Sequence, residues 1–479
     1  MTPRWYASRP APALPPERLL AVRWEAPGRC FFDAPGGLTV AGLGESAVIE
    51  ASGPDRIEAL GEQADSLLDS LQPVHETSSR PVLVGGFSFA NRTSTAGPWT
   101  GWRPGRLVLP EVSFVLRGDE GTVFAVAPAG LDEEAATAWL DARLTLALEG
   151  LATAPAPQGP AESVGAPTAA AWGFVAGLAN DGPTRSMPLA ASSGGLGMVE
   201  VAPSTEPHYT ADPYEDLVAD GLAAIGGARL RKVTLARSRR FGRVRGTTPS
   251  VVLDAFARRY PDCFRFWVEP AGRSAFAGAS PERLVARRGR SVRADALAGT
   301  VGRANEPAAD ANLGALLLAN NKERREHEAV VGFLRERLGR FADGDAVEAA
   351  STPGLLKLAN VQHLHTPFTL RMPEGGPGIL SLAAQVHPTP AVAGVPADEA
   401  TAWIDEHEEL DRGWYSGGVG VVEHGGDGEL CVAIRSGLFE DEALWLFAGA
   451  GIVSGSDPSR EAREVEQKMR ALRDLLVEG

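Results

Sequence analysis

Residues Leu444–Lys468 read LWLFAGAGIVSGSDPSREAREVEQK, and this stretch sets the reading of the whole chain. An apolar run with small residues enters a Gly-rich turn, and a charged helix follows from Pro458 to Val477. The run is short and apolar enough for a strand, whereas the helix is polar on several faces. Glycines at Gly449, Gly451 and Gly455 let a ligand approach the backbone closely. Glu461 and Glu464 stand three residues apart, hence on one helix face, and Lys468 follows one turn after Glu464.

The same device occurs once more upstream. NKERREHEAVV, Asn321–Val331, puts Glu323 and Glu326 on one face of a polar helix expected from Ala309 to Arg340. Two helices that each offer such a pair have the makings of a hard-cation site. Mg²⁺ takes few protein carboxylates, keeps waters and accepts substrate oxygens. Solvated helix faces carry the same spacing, so on spacing alone both readings stay open.

Around these helices the strands come in adjacent pairs. Lys232–Ser238, Phe264–Pro270, the run from Ser274 and a Gly-rich meander from Trp414 to Leu446 alternate with helices, including one at His208–Ile225. The pattern is α+β with a largely antiparallel sheet. Residues 1–150 form a mixed region: strands at Leu107–Leu116 and Thr122–Val126, helices at Ile57–Leu71 and Glu133–Leu148, and a Gly-Gly-Phe turn signal at Gly85–Phe87. Residues 151–205 are rich in Ala, Pro, Gly and Ser and read as an insertion or linker. Three regions are therefore expected, 1–150, 151–205 and 206–479, and the outer two are free to share a sheet.

Bulk properties narrow the class. The chain has 479 residues, 44% hydrophobic and 22% charged, with a formal net charge of −15. That charge argues against nucleic acid or an anionic membrane as partner, and it requires a local Arg, Lys or metal cluster for any anionic substrate. Three cysteines without CxxC spacing fit neither a disulfide framework nor a zinc site, and suit a reducing cytoplasm. No run approaches the roughly 18 uninterrupted apolar residues of a membrane span.

Nine blocks in order then resemble the chorismate-utilising enzymes: KVTLARS, FAGASPERLV, ALAGT, NKERREHEAVV, VQHLHT, HPTPAVAGVP, DRGWYSGGVGVV, CVAIRSG and AGAGIVSGSDPSREAREVEQK, spread over roughly 205–479. The resemblance implies an α+β (α/β) fold with large antiparallel sheets around an active-site cleft and helices outside. It implies Mg²⁺, held by Glu326 and Glu464 directly and by Glu323 and Glu461 directly or through water. It implies that Arg435 and Tyr415 bind the enolpyruvyl carboxylate, a task suited to the forked guanidinium. His363, Gly299, Thr300, Ala391, Gly449 and Lys468 complete the implied substrate pocket. One departure is that Asn320 and Asn321 precede Lys322 where the family often has Ser, which points to a helix cap or outer contact.

Within the family, the resemblance narrows to the isochorismate synthases. Their reaction adds water at ring C2 and expels the C4 hydroxyl, so it needs a base and an acid. The matching pair is Lys232, opening an apolar strand beside Arg231, and Glu282, which must be kept protonated by burial or a nearby carboxylate. Ammonia-using members lack the lysine, and aminodeoxychorismate synthases carry a nucleophilic lysine where this chain has Ala298. Salicylate synthases, which also eliminate pyruvate, are the nearer alternative, and Ala391 stands where they tend to have Thr. An aminating enzyme and a non-catalytic chorismate-binding module are the remaining alternatives. The product would serve menaquinone, siderophore or salicylate synthesis, by a monomer or loose homodimer with chorismate as substrate and no glutaminase subunit.

Overall fold

The computed structural model describes residues 4–92, 97–154, 213–242, 248–343, 347–358 and 361–478. Apolar runs of strand length pair antiparallel into two large sheets. In spatial order the first runs Gly394–Val395, Lys232–Gly242, Ala443–Val453, Ser436–Phe439, Ala275–Ser280, Phe264–Glu269, Arg29–Asp33, Leu38–Leu43, Val112–Arg117, Glu120–Val126, Arg4–Ala11 and Leu71–Pro73. The second runs Val347–Ala349, Val361–Arg371, Ser291–Gly302, Arg283–Arg288, Gly428–Val432, Gly418–Val422, Leu83–Phe87, Gly105–Leu109 and Ala47–Ala51, with Gly354–Lys357 also on Val361–Arg371. Among the described residues only the Arg4–Ala11 pairing with Leu71–Pro73 is parallel. Each sheet contains strands from both sides of the 151–205 stretch, most of which lies outside the described residues, as does the start of the helix expected from His208.

The chain passes between the sheets at short corners, and two of these matter for the site. Ala275–Ser280 belongs to the first sheet and Arg283–Arg288 to the second, with Pro281 and Glu282 between them. Gly428–Val432 belongs to the second and Ser436–Phe439 to the first, with Arg435 at the corner. The two corners lie side by side: Val432 N donates to Glu282 O at 2.9 Å and Ala279 N to Arg435 O at 3.1 Å.

Helices flank the sheets. Pro458–Glu478 packs on Ala443–Val453 of the first sheet through Ala462, Val465, Met469, Leu472 and Leu476, an apolar stripe at helical spacing. Asn321–Gly339 packs on Ser291–Gly302 and Val361–Arg371 of the second, burying His327, Val330, Leu334 and Leu338. The two carboxylate helices thus stand on different sheets.

Three local expectations need correction. Leu107–Leu116 is two strands, because Pro110 has no N–H for a ladder and ends the first; Gly105–Leu109 lies in the second sheet and Val112–Arg117 in the first. Ala309–Arg340 is also two helices, Pro307–Ala319 and Asn321–Gly339. Asn320 breaks the run with an extended ψ of 110°, and its side chain accepts from Lys322 N and Glu323 N. This is the N-cap that the Asn residues suggested. Gly85–Phe87 is not a turn but part of the strand Leu83–Phe87. The glycines serve close backbone approach: a Cβ on Gly85 would lie 2.1 Å from Arg106 O, and one on Gly86 2.1 Å from Gly418 O.

Gly86→Ala therefore overpacks a buried ladder with backbone on the other side, and we expect it to cost at least the ~1–3 kcal/mol of core overpacking. Urea denaturation of the variant measures the loss; an unchanged midpoint would show that the sheet yields there.

Candidate active site

Beside the paired corners lies a cavity of about 500 Å³, and most of the residues expected to act line it: Lys232, Glu282, Gly299, Thr300, His363, Ala391, Tyr415, Arg435, Gly449, Lys468 and the four helical glutamates. The structure brings together every candidate named from the sequence.

Lys232 is the first residue of its strand and is 8% exposed. Its Nζ lies 3.6 Å from Glu326 Oε2. Gly451 makes room for this lysine rather than for a ligand, since a Cβ there would lie 2.7 Å from Lys232 Cε. Glu282 sits at the corner between sheets, 3% exposed, and its Oε1 is buried with no hydrogen-bond partner among the described residues. Burial pushes its carboxyl up to about 8, aided by Asp295 and opposed by Lys232 and Arg435. With that value the carboxyl is protonated at neutral pH.

Arg435 holds a left-handed backbone, φ 51°, at the neighbouring corner. Its Nη2 donates to His363 Nε2 at 3.3 Å, and its Nη1 is buried without a partner among the described residues. Because a guanidinium only donates, His363 Nε2 is the acceptor and Nδ1–H faces Thr300 Oγ1 at 2.7 Å. Burial, then Arg435, lowers the His363 imidazole to about 3, so it stays neutral. Thr300 is turned towards it by a register shift in the ladder between Ala298 and Thr300, where Gly299 has φ 79°. Tyr415 stacks on Phe447 at 5.5 Å, and burial pushes its phenol up to about 12. Lys468 Nζ donates to Gly449 O at 2.9 Å and pairs with Glu464 at 2.8 Å.

The acidic wall is built from both helices. Glu323 and Glu461 are each raised by burial and then by their own i+3 neighbours, Glu326 and Glu464. The Lys322 charge acts on both Glu323 and Glu461, which puts the two helix faces within electrostatic reach of each other. Among the described residues no three His, Cys, Asp or Glu side chains gather closely enough to enclose an ion by themselves. The half-buried carboxylates present are hard oxygen donors, of a kind suited to a cation that takes few protein ligands and keeps waters. That is the habit of Mg²⁺ rather than of structural zinc or an all-protein calcium loop.

Several lining residues went unnoticed in the sequence. Arg412 and Thr234 sit inside blocks quoted above but carry no motif of their own. Leu313, Leu316 and Leu317 add an apolar edge from the helix Pro307–Ala319, whose uninterrupted ALLLA run was the available signal.

Comparison with known proteins agrees with this geometry. The family profile described as chorismate binding enzyme matches residues 7–165 and 197–477. The chain belongs to this family. The salicylate biosynthesis isochorismate synthase of Pseudomonas aeruginosa is 32% identical over 455 residues, 95% of this chain and 84% of that protein. The isochorismate synthase DhbC of Bacillus subtilis is 34% identical over 278 residues, 57% of this chain and 68% of that protein. MenF, the menaquinone-specific isochorismate synthase of Escherichia coli, shares the fold with a TM-score of 0.73 at 24% identity, covering 99% of this chain and 95% of that one. The α+β architecture is thus that of the chorismate-utilising enzymes.

Two outcomes follow from the site's polar groups. At Arg435 only the side chain justifies a left-handed residue, so Arg435→Gly should be more stable than Arg435→Ala by about 1 kcal/mol. Both should lose chorismate affinity, as read by calorimetry alongside melting curves. For Glu282, both folded and unfolded carboxyls are protonated below about 4.5, whereas between there and about 8 only the unfolded one ionises. The raised value thus removes stability as pH climbs through that window. Glu282→Gln should melt higher than the parent at pH 8 and no higher at pH 4.5; a pH-independent difference would refute the burial of a protonated acid.

Proposed function

We propose that this chain is an isochorismate synthase that hydrates chorismate at ring C2 and expels the C4 hydroxyl. One observation carries the reading: a buried lysine, a buried, protonated glutamic acid and Arg435, whose Nη1 has no partner among the described residues, line the same cavity. Lys232 is the base. It takes a proton from water as the oxygen bonds to C2; the two ring double bonds shift, and the C4–oxygen bond breaks. Glu282 hands its proton to the departing oxygen, which leaves as water, so the sum is an isomerisation. Arg435 Nη1 and the Tyr415 hydroxyl receive the enolpyruvyl carboxylate, and neutral His363 with Thr300 and Gly299 borders the ring. Ala391 and Gly449 complete the pocket, and Lys468 braces it through Gly449 O.

Mg²⁺, held by Glu326 and Glu464 with Glu323 and Glu461 direct or through water, would neutralise the ring carboxylate against this acidic wall. Ala298 lines the cavity where a nucleophilic lysine would stand, so a covalent route through that position is not open to this chain. The Pseudomonas aeruginosa relative, which aligns with 95% of the chain, is named as an isochorismate synthase. That favours release of isochorismate itself over onward elimination of pyruvate.

Incubation with chorismate and Mg²⁺ should give isochorismate on chromatography, without fluorescent salicylate or free pyruvate and without response to ammonia. EDTA should abolish turnover and added Mg²⁺ restore it. Lys232→Ala and Glu282→Gln should each lose on the order of 10²–10⁴ in kcat. Isochorismate formation unchanged in Lys232→Ala would sink the base assignment. The acid must keep its proton in a setting that faces Lys232, Asp295, Arg435, Cys431 and Thr389, so kcat/KM should fall as pH rises through about 8. A flat profile to pH 9.5 would remove Glu282 from the proton-donating role.

A further inference from the structure

Arg412 and Glu408 form an ion pair with side chains 2% and 1% exposed. The guanidinium donates from Nε to Glu408 Oε1 at 2.6 Å and from Nη2 to Glu408 Oε2 at 2.7 Å. It also donates from Nη2 to Thr234 O at 2.7 Å and from Nη1 to Val392 O at 3.0 Å, and it lies over the Phe89 ring at 4.3 Å. Arg412 borders the cavity, yet four of its five N–H bonds are committed to protein, which sets it apart from the half-free Arg435.

The reason for so costly a pair lies at the edge of the Lys232 strand. On one side that strand is paired from Lys232 to Gly242 with Ala443–Val453. On the other, only Lys232 and Val233 find strand partners, in Val395 and Gly394. Beyond them the outward backbone groups are buried and still need partners. Thr234 N donates to Ala393 O at 2.8 Å, and Thr234 O accepts from Arg412. Ala236 N donates to Glu408 Oε2 at 2.9 Å. The ion pair therefore continues the ladder that the two-residue strand Gly394–Val395 cannot. It also ties that edge to the cavity wall, because Arg412 holds Val392 O while Thr234 Oγ1 donates to Ala391 O at 3.2 Å.

We propose that Arg412 and Glu408 are positioning residues for the hydration step: they lock the edge of the Lys232 strand against the Ala391–Val392 wall and so fix where Lys232 Nζ stands relative to the bound ring. A buried pair is a poor source of stability next to apolar packing but a good source of register, because one satisfied geometry excludes its neighbours. Lys232 and Thr234 lie two apart on one strand face, so a slip at Thr234 moves the base directly. Arg→Lys keeps the charge and loses the fork that serves three partners at once.

This inference rests on Lys232 being the base, and the test separates the two. In Arg412→Lys, kcat should fall by about 100-fold, the penalty for roughly 1 Å of misplacement, while the Kd for chorismate stays within about 3-fold. In a Lys232→Ala background the same substitution should change the residual rate by no more than about 3-fold, because the group it positions is gone. Glu408→Gln, which keeps the side-chain volume, goes through the same cycle, so the criterion survives if Arg412→Lys fails to fold. Equal losses in both backgrounds, or a raised Kd with kcat intact, overturn the positioning role alone. A Lys232→Ala enzyme as fast as the parent overturns the base assignment and this inference with it.

Discussion

The two corners at Pro281–Glu282 and Ile434–Arg435 set the limits within which everything else is built. Each carries the chain from one sheet to the other, in opposite directions, and backbone bonds from Val432 N to Glu282 O and from Ala279 N to Arg435 O hold them in register. Residues at such a seam belong fully to neither ladder, so their side chains are released from the in-and-out alternation of a strand. Gly278 shows how tight the seam is: a Cβ there would lie 2.6 Å from Phe266 Cζ and 2.8 Å from Ser436 Cβ. The close approach brings Glu282 and Arg435 into one cavity lining, largely out of water.

That placement carries an energetic cost which the fold tolerates. Glu282 Oε1 and Arg435 Nη1 are both buried without partners among the described residues, and each such group forfeits about 1–3 kcal/mol. Arg435 adds the strain of its left-handed backbone. The acidic wall is under similar tension, with Glu323 and Glu461 crowded by their own neighbours. Stability lost here is interaction energy held back for a substrate that brings two carboxylates and, with a cation, opposite charge for the glutamates. A net charge of −15 is compatible with an anionic substrate, because Lys232, Arg435 and Lys468 place cationic side chains in the cavity lining.

How much of this could be read from the sequence depends on how local each cause is. The carboxylate pairs were legible because i, i+3 spacing on a helix is a property of a few adjacent residues, as was the Asn320 cap. The strands that open at Lys232 and Phe264 were legible from their apolar runs, whereas the run from Ser274 proved to be two strands in different sheets and Ser291–Gly302 and Val361–Arg371 went unread. The break at Pro110 was missed because the apolar residues on its two sides read as one run, and nothing nearby says that they join different sheets. Gly85 and Gly86 were misread for the same reason, since their small size answers to Arg106 and Gly418, far away in the chain. Arg412 was quoted within its block and passed over, because its four bonds to Glu408, Thr234 and Val392 exist only once the edge beside Gly394–Val395 has formed. Glu282 stands between these cases: the resemblance marks the position, but only the corner explains why it stays protonated.

The arrangement of the helices gives the site a further property. Asn321–Gly339 rests on the second sheet and Pro458–Glu478 on the first, so the cation and substrate that we assign to their carboxylates would join the two sheets in the cavity that the corners border. The corners hold the seam through the backbone; the ligands would hold it through side chains. Glu326 also stands 3.6 Å from Lys232 Nζ. A cation held by Glu326 would therefore share that carboxylate with the lysine, which ties the acidic wall to the setting of the proposed base. The strand edge on which Lys232 rides then needs a support that does not depend on Glu326, and the buried pair Arg412 and Glu408, bonded to that edge at Thr234 O and Ala236 N, supplies one.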